Sequence, residues 1–489
     1  MRRGTSRALL LSASLSLTLL ACGDDAPPPP PEAGVSDALL RVRTPVDGAA
    51  PPACKLTVEG RGETADPSWG AGGVGEWIAS DAFRIANTVV SLRCELDLRL
   101  PPGSYTLTLS RGPEHEIDTA EIELAAGEER DLALEMPQAV DSGGWACADF
   151  HVHSAPSFDS EVPLDQRLLS AVSEGLDAIA PSDHDAVGDW ETATMTAGVE
   201  QKLLVLVGDE LTPDQWSVPT FVGHVGLYPA PLGFDPTSLV LPGSDLDGLV
   251  AAARAAAPAA VLQINHPRWN EYIGQFVVFE LDRAAAFDAV EVWNGHELDA
   301  RSEGSTTEQV LGDWWALLLA GAPLVATGNS DTHRLEVTPV GYPRTCVHVP
   351  DDSLPSTFAD TLVDGLRAGD AFVTSGVFLE LSVGDVGLGG MADATSGVVR
   401  AQAHVQAPSW IDVQRVVWVL DGEVVHTSTL DTAPPVTVEH ELRVDADGTL
   451  LVLAEGDAPM GIATGRRTEP LRSLAFTNPI FLDADGDGL

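Results

Sequence analysis

The chain has 489 residues, with 73 Asp or Glu against 27 Lys or Arg, so its formal net charge is −46 at neutral pH. Its 44% hydrophobic content is enough for two or three globular domains and excludes a mostly disordered chain. A protein this acidic would repel a phosphate backbone, which argues against nucleic acid as a partner. The longest apolar stretch is too short for a membrane span, which excludes a polytopic membrane protein.

The N-terminal segment resembles a bacterial lipoprotein signal. Three arginines precede the apolar residues 8–21, and the run ends in Leu-Leu-Ala-Cys22, which resembles a lipobox. We therefore predict a signal peptide and lipobox over 1–22, lipidation of Cys22, and a stiff proline-rich linker over 23–37. The resemblance implies a cell-envelope lipoprotein that contacts a membrane only through its lipid, and Gly23 after the cysteine favours the outer membrane. A soluble secreted protein is the alternative.

The next region, 38–142, consists of short apolar runs separated by Gly and Pro. Tyr105, Leu107 and Leu109 alternate with threonines, and this period of two is typical of a half-buried strand. We predict an N-terminal β-sandwich without catalytic residues. Its PPGSYTLTL segment resembles the carboxypeptidase-regulatory-like sandwiches of secreted enzymes.

Four cysteines remain once Cys22 is set aside, in a compartment that permits disulfides. Cys54 and Cys94 both lie in strand-like segments of the N-terminal region, so we predict that they pair with each other. Cys147 and Cys346 are then either partners or free thiols, and the sequence leaves both alternatives open.

From 145 to 375 the pattern changes to apolar strands that alternate with amphipathic or Ala-rich helices, as in parallel α/β proteins. Leu164, Leu168, Val172 and Leu176 recur at every fourth position. This spacing predicts a helix with one apolar stripe that packs against a sheet.

The C-terminal region, 376–489, returns to short strands. Two apolar runs flank Asp421-Gly422, a dipeptide typical of a type I′ hairpin. We therefore predict a C-terminal β-sandwich with an acidic tail. The terminal aspartates match the first part of a calcium loop, so a weak calcium site is the alternative to a solvated tail.

Histidines and carboxylates follow almost every predicted strand of the middle region. Parallel strands bring their carboxyl ends to one rim, so we expect these side chains to meet there. Residues two apart on a strand face the same way, so the first two histidines can reach one metal ion. Imidazole suits zinc, and carboxylates can bridge two ions; ordinary hydrogen-bonding histidines are the alternative. The strand-end residues are His151, His153, Asp183, His184, Glu210, His266, Asn294, Asp331 and His333.

Six segments in this order closely resemble the PHP (polymerase and histidinol phosphatase) metallohydrolases, and most closely their carbaryl-hydrolase-like CehA/McbA branch. They are DFHVHSAPSFDS, PSDHDAVGDW, GDE, GHVGLYP, NHPRW and GNSDTH. The resemblance covers 145–375. It implies an α/β fold with a distorted (β/α)7 PHP barrel between the two β-sandwiches. It also implies two or three divalent metal ions, with zinc favoured and manganese or iron as alternatives.

The resemblance further implies the ligands of each ion. They are His151, His153, Glu210 and Asp331 for the first, Asp159, His184 and His333 for the second, and Glu210 with His224 and His266 for the third. Many family members have a histidine near the position of Asp159, and His224 alternatively packs in a loop. Asp183 alternatively orients a ligand histidine through its other ring nitrogen.

These ligands predict hydrolysis by a metal-bridged hydroxide, because water between two cations has its pKa lowered to about 7. Glu210 and Asp331 are the predicted catalytic carboxylates. Arg268 and Arg344 are predicted anion clamps, since arginine binds phosphate with two donors; ordinary rim arginines are the alternative.

The predicted reaction is hydrolysis of a phosphoester or carbamate/ester bond in a small molecule. Two other functions remain as alternatives: a surface-anchored binding lipoprotein with a vestigial barrel, and a PHP-type nuclease, which the charge disfavours.

Overall fold

The computed structural model describes residues 36–45, 50–213, 223–240, 245–268, 284–296, 305–322, 324–349, 358–464 and 471–488. The predicted signal peptide, Cys22 and the linker up to residue 35 lie outside the described residues. Within the described part of the chain, no helix is long and apolar enough to cross a membrane.

The N-terminal region is built from nine strands in two sheets. One sheet has the order β6-β1-β9 and the other β3-β4-β5-β2-β7-β8. Leu40 and Leu98 from the first sheet share a buried core with Leu56 and Leu107 from the second, as expected of a β-sandwich. The strands are β1 Ala38–Arg43, β2 Cys54–Gly60, β3 Glu76–Ala79, β4 Ala82–Ile85, β5 Thr88–Ser91, β6 Glu95–Leu100, β7 Gly103–Ser110, β8 Asp118–Leu124 and β9 Glu129–Ala133.

The middle region contains the five described α-helices and a set of short buried strands. The strands are β10 Trp145–Val152, β11 Ala178–Pro181, β12 Leu204–Val205, β13 Asp209–Leu211, β14 Val225–Tyr228, β15 Val261–Ile264, β16 Ala289–Asn294, β17 Val325–Asn329, β18 Arg344–His348 and β19 Ala371–Thr374. The helices are α1 Leu164–Ser173, α2 Trp190–Ala197, α3 Leu246–Ala256, α4 Thr306–Leu319 and α5 Phe358–Arg367, with a 3-10 turn at Pro236–Ser238.

Local sequence explains where these helices begin and which face they bury. The side chains of Asp189, Asp245 and Ser305 accept hydrogen bonds from backbone amides in the first turns of α2, α3 and α4. Caps of this kind each contribute about 1 kcal/mol. Leu168 and Val172 of α1 are buried, so the predicted apolar stripe is confirmed.

The strands of the middle region belong to two sheets that meet at two single bridges. In one sheet β10, β11 and β12 are parallel, and in the other β15, β16 and β17 are parallel. β14, which the sequence analysis did not predict as a strand, is antiparallel to both β13 and β15. Isolated bridges join His184 to Glu210 and Val152 to Thr332. The pairings therefore lead from β10 through β11, β13, β14, β15, β16 and β17 back to β10, although the described strands do not form one continuous parallel sheet.

The C-terminal region adds nine strands. They are β20 Phe378–Val383, β21 Met391–Asp393, β22 Val398–Gln406, β23 Arg415–Leu420, β24 Glu423–Thr429, β25 Val436–Arg443, β26 Gly448–Pro459, β27 Arg472–Thr477 and β28 Ile480–Asp483, with a 3-10 turn at Ile462–Thr464. β20, β22 and β25 form one sheet. Positive φ angles at Asp421 and Gly422 give the β23–β24 hairpin the predicted type I′ turn.

The second C-terminal sheet is continuous with the middle region. β19 pairs with both β18 and β27, so one sheet of eleven strands extends from β12 to β24. The indole of Trp314 in α4 also packs 6.4 Å from the ring of Phe476 in β27. The predicted boundary at 375 therefore cuts through a hydrogen-bonded sheet and a shared core.

Both disulfides lie at junctions between strands. Cys54 bonds to Cys94 and links the two sheets of the N-terminal sandwich, as predicted. Cys147 bonds to Cys346, directly opposite it on the antiparallel pair β10–β18. The alternative that the sequence left open is thus decided in favour of a second disulfide.

Candidate metal centre

Nine polar side chains converge where strands of the middle region end. Two of them are on or just after β10, and a third lies in the loop between β10 and α1. The others follow β11 or β17, lie on β13, or flank β14 and β15. Seven of the nine are buried, and only the two that face the mouth are partly exposed. They are the residues that the sequence analysis proposed as ligands: His151, His153, Asp159, His184, Glu210, His224, His266, Asp331 and His333.

The first group is centred on His151, at the end of β10, and His153, just after it. The Nε2 atoms of His151 and His153 lie 3.0 Å apart. Asp331 Oδ1 is 3.3 Å from the first of these nitrogens and 3.1 Å from the second. Glu210 oxygens lie 3.4 and 3.5 Å from the same two atoms. The four ligands proposed for one ion therefore lie around a single point.

The second group lies nearer the mouth. Asp159 Oδ2 is 3.3 Å from His184 Nε2 and 3.1 Å from His333 Nε2. The ring of His153 stacks on His333 with centroids 4.0 Å apart, which places this group beside the first. His333 Nδ1 donates to the carbonyl of Asp331 at 2.9 Å, so the Nε2 lone pair is directed at Asp159.

Glu210 connects these groups to a third. Its Oε1 is 3.1 Å from both His224 Nδ1 and His266 Nε2, and its Oε2 is 3.0 Å from His184 Nδ1. The side chain of Asn265 donates to Oε1 at 2.9 Å. The buried carboxylate of Glu210 is therefore the common element of all three ligand groups.

The charges in the cluster stabilise one another. Burial opposes protonation of His151, but the carboxylates of Asp331, Glu291 and Glu210 raise its pKa well above the usual value. Burial also opposes ionisation of both ligand carboxyls. Neighbouring imidazoles, led by His224 for Glu210 and by His151 for Asp331, nevertheless hold the pKa of these carboxyls well below the usual range. The carboxylates are therefore ionised and available as ligands at neutral pH.

The donor set fits divalent transition-metal ions. Within each of several groups of three or four side chains, the ligand atoms lie within 4.8 Å of one another. Glu210 Oε2 and Asp331 Oδ1 are buried and accept no hydrogen bond from the described residues. A buried carboxylate oxygen without a donor is costly, and a coordinated cation removes that cost. Imidazole and carboxylate together suit zinc, manganese and iron, so the donors do not select one metal.

Two of the ligand residues have strained backbones. The φ angle is +29° at His266 and +50° at Asp331, values that are uncommon for residues with a side chain. Such conformations cost of order 1–3 kcal/mol and persist where surrounding contacts hold them, frequently at active sites. The fold therefore constrains these two side chains toward the cluster at a local energetic cost.

Several residues around the cluster were not predicted from the sequence. Glu291 accepts from His151 Nδ1 at 3.0 Å, and Thr212 Oγ1 lies 2.7 Å from His184 Nδ1. His296 Nε2 donates to the carbonyl of Asp331 at 2.8 Å. A carboxylate within the otherwise apolar strand AVEVWN was the one signal that could have identified Glu291.

The structure corrects the role expected of Asp183. Its carboxylate accepts from the backbone amide of Ser154 at 2.6 Å, whereas the Nδ1 atom of His184 contacts Thr212. Asp183 therefore holds the loop after β10 and does not orient a ligand imidazole. Asn294 does reach the site, because its side-chain amide donates to Asp331 Oδ2 at 3.0 Å.

The two predicted anion clamps have other partners. Arg344 is fully buried, and its three nitrogens donate to Glu114, to the carbonyl of Gly341 and to the carbonyl of Glu174. The anion-clamp prediction for Arg344 is therefore wrong: it is an internal ion-pair residue.

Arg268 lies on the surface, with its side chain 36% exposed, and pairs with Asp313. An anionic substrate would have to compete with the Asp313 carboxylate for this guanidinium. Arg268 therefore has the contacts of an ordinary surface ion pair, the alternative to the predicted anion clamp.

No protein-family model and no curated protein matches the chain. Among solved structures, it is similar to PsfC from Pseudomonas syringae, with 21% identity over 45% of this chain and 88% of that one, at a TM-score of 0.31. An amidohydrolase from Chromobacterium violaceum is 17% identical over 42% of this chain and 93% of that one, at a TM-score of 0.29. A protein described as a metal-dependent phosphoesterase from Bifidobacterium adolescentis is 18% identical over 38% of this chain and 87% of that one, at a TM-score of 0.26. Similarities this weak assign no family, so the functional argument rests on the side chains of the cluster.

Proposed function

We propose that this protein is a metal-dependent hydrolase that cleaves a phosphoester or carbamate/ester bond of a small molecule. The observation that carries the proposal is the buried cluster of six histidines and three carboxylates, in which two carboxylate oxygens have no hydrogen-bond donor among the described residues. A cluster with no function would retain hydrogen-bonded partners for these oxygens, since unpaired buried charges destabilise a fold.

The chain's own residues would hold two or three divalent cations and exclude water around them. When bound, such cations lower the pKa of a water molecule and polarise a substrate oxygen. Glu210 contacts residues of all three ligand groups, and Asp331 Oδ1 lies within 3.3 Å of both His151 and His153. The exposed ring of Phe158 stacks 4.8 Å from His184 and offers an apolar surface to a substrate at the mouth.

The same proposal extends to the fold and family. The cyclic order of strand neighbours from β10 to β17 supports a distorted seven-stranded PHP barrel, and the order of the six motifs supports the CehA/McbA branch. Neither argument depends on the weak similarity to solved structures.

We also propose that the protein is anchored in the cell envelope through Cys22 and acts on a small molecule. The support is the lipobox-like sequence and the −46 charge, which disfavours nucleic acid. Replacing Cys22 with Ser is expected to abolish incorporation of a palmitate analogue and to release the protein from membranes. Persistent labelling of this variant would contradict the anchor without affecting the proposed hydrolase.

The test of the hydrolase begins with metal content. Elemental analysis of the full chain after loading with zinc or manganese is expected to show at least two equivalents per chain. The variant His151→Ala should lose metal, whereas His426→Ala, which alters an exposed histidine of β24 outside the cluster, should not. A wild-type metal content near zero would refute the proposal.

A substrate screen then separates hydrolase from the two alternatives. Phosphomonoesters, phosphodiesters, carbamates, aryl esters and single-stranded DNA are compared with the metal-loaded wild type. Metal binding without turnover of any of these would favour a binding lipoprotein, and turnover of DNA alone would favour a nuclease. Turnover of a small-molecule ester that is lost in His151→Ala and retained in His426→Ala would support the proposed function.

A further inference from the structure

Resting on the proposed function, we propose that Glu291 is the positioning residue of the metal centre, holding the ligands His151 and His266 in their binding geometry. Glu291 lies in the middle of β16 and is 1% exposed. It is not one of the nine proposed ligands. Its carboxylate instead accepts four hydrogen bonds, two from the proposed ligands His151 and His266 and two from asparagine side chains beside the cluster.

One oxygen of Glu291 determines which nitrogen of His151 faces the metal site. His151 Nδ1 lies 3.0 Å from Glu291 Oε1, and a carboxylate can only accept, so Nδ1 carries the proton. The nitrogen left to bind a metal ion is then Nε2, the atom that lies 3.3 Å from Asp331 Oδ1. A carboxylate behind a ligand imidazole both fixes the tautomer and makes the ligand more basic.

The other oxygen holds the backbone of a second ligand. The amide of His266 donates to Glu291 Oε2 at 2.8 Å. This is the residue whose φ angle is +29°, so its conformation needs an external restraint. The hydrogen bond to a buried carboxylate supplies that restraint and directs the His266 ring at Glu210.

Two amide side chains complete the surroundings of Glu291. Asn329 Nδ2 donates to Oε1 at 3.0 Å and Asn294 Nδ2 donates to Oε2 at 2.9 Å. Each amide makes a further hydrogen bond. Asn294 donates to the ligand Asp331, and Asn329 accepts from the backbone amide of Phe150 in β10. Glu291 therefore connects β10, β17 and the segment after β15 from its place on β16.

This support is confined to one side of the cluster. The group of Asp159, His184 and His333 has no hydrogen bond to Glu291 among the described residues. His184 is held by Thr212 and His333 by a carbonyl. Loss of the Glu291 carboxylate should therefore weaken metal binding in the inner group of His151, Glu210 and His266, whose ligand atoms lie within 4.8 Å of one another, while the ion at this outer group remains.

Cobalt(II) titration of the full chain tests this difference, because cobalt absorption reports ligand geometry and chelator competition reports affinity. Glu291→Gln keeps the volume but replaces one acceptor oxygen by a donor NH2 group, which faces either His151 Nδ1–H or the His266 amide. We expect one class of cobalt site to weaken by about 10–100-fold, the usual cost of losing an outer hydrogen-bond partner. The remaining class should stay within about threefold of wild type, with an altered cobalt spectrum for the weakened class.

A matched control is Glu174→Gln, which changes another buried carboxylate that bonds to Lys55 and Tyr342 and not to the cluster. Its cobalt affinities should equal those of the wild type. Glu291→Asp, which keeps the charge but shortens the side chain, should weaken the same class of site by less than Glu291→Gln does. This graded response would not arise from a merely structural role.

The outcomes separate the two proposals. A wild type that binds no cobalt refutes the metal-dependent function itself. A wild type that binds cobalt, with unchanged affinities in Glu291→Gln, refutes only the role of Glu291. Equal weakening of all sites, or unfolding of both Glu291 variants by circular dichroism, would also overturn the inference and leave Glu291 as a structural residue.

Discussion

A buried ion pair connects the N-terminal, middle and C-terminal regions, and its removal should lower the melting temperature by an amount that can be calculated. Lys55 of β2 pairs with Glu174, which directly follows α1, and the two side chains are 8% and 3% exposed. Lys55 Nζ also donates to the carbonyl of Ala463 in the C-terminal region at 2.6 Å. Tyr342 donates to the second carboxylate oxygen of Glu174 at 3.3 Å.

Lys55→Met retains most of the aliphatic stem but leaves the carboxylate of Glu174 buried without its cation. Breaking a buried pair in this way costs about 3–5 kcal/mol. An unfolding entropy of about 2 cal/mol/K per residue over 489 residues converts this cost into a Tm decrease of about 3–5 °C when all parts unfold together. Scanning calorimetry measures the decrease directly.

The double variant Lys55→Met/Glu174→Gln should recover part of this loss, because it removes the unpaired charge. As a control, Arg41→Met breaks the more exposed pair with Glu129, whose carboxylate side chain is 65% exposed, and should lower the Tm far less than Lys55→Met does. A decrease below about 1 °C for Lys55→Met, or additive losses in the double variant, would refute the argument that the buried pair holds the parts together.

Three other predictions concern the cluster and its surroundings. His151→Ala should reduce turnover by several orders of magnitude while circular dichroism changes little, since the ring nitrogens contact Glu291 and His153, which are polar side chains at the cluster; retained turnover would exclude a metal mechanism. Burial raises the pKa of Asp177 to about 7, so the folded chain keeps a proton that the unfolded chain releases above about pH 4. The contribution of Asp177 to stability should therefore fall as the pH rises from about 4 to 7. Asp177→Asn should remove this contribution from the difference between wild-type and variant thermal melts; a difference that does not change with pH would contradict the assignment. Arg268→Ala should change kcat/KM of phosphate esters and neutral esters by less than about threefold, because Asp313 already pairs with the guanidinium. A loss confined to phosphate esters would restore Arg268 as an anion clamp.

The candidate ligands could be predicted because strand ends carry chemistry in a recognisable order. His151 at the end of β10 and His153 just after it follow a period of two, and Asp331 and His333 follow the last strand of the motif series. Their convergence needed only the rule that carboxyl ends of neighbouring strands share an edge. The supporting contacts of Glu291 could not be predicted in this way, because they are hydrogen bonds between segments far apart in the sequence and no sequence pattern indicates them.

The errors have a common physical origin in burial and pairing partners. Arg344 was predicted as an anion clamp because arginine binds phosphate with two donors, but the sequence does not show that Glu114 of the N-terminal sandwich neutralises it inside the protein. β14 was likewise not predicted as a strand, since a run of four apolar residues does not distinguish a short strand from other buried segments. The boundary at 375 was placed where the sequence pattern changes from strands and helices to short strands. That pattern does not show that β19 pairs with β27 across the boundary.

The continuous sheet from β12 to β24 limits how this enzyme candidate can be dissected. A fragment ending at residue 375 would remove the partner of β19 and expose the backbone donors and acceptors that Phe372 and Thr374 now share with β27. An uncovered, apolar edge strand is a template for intermolecular pairing, so such a fragment should aggregate instead of folding. The middle region is therefore not an independent folding unit, and its engineering or crystallisation should retain the C-terminal region.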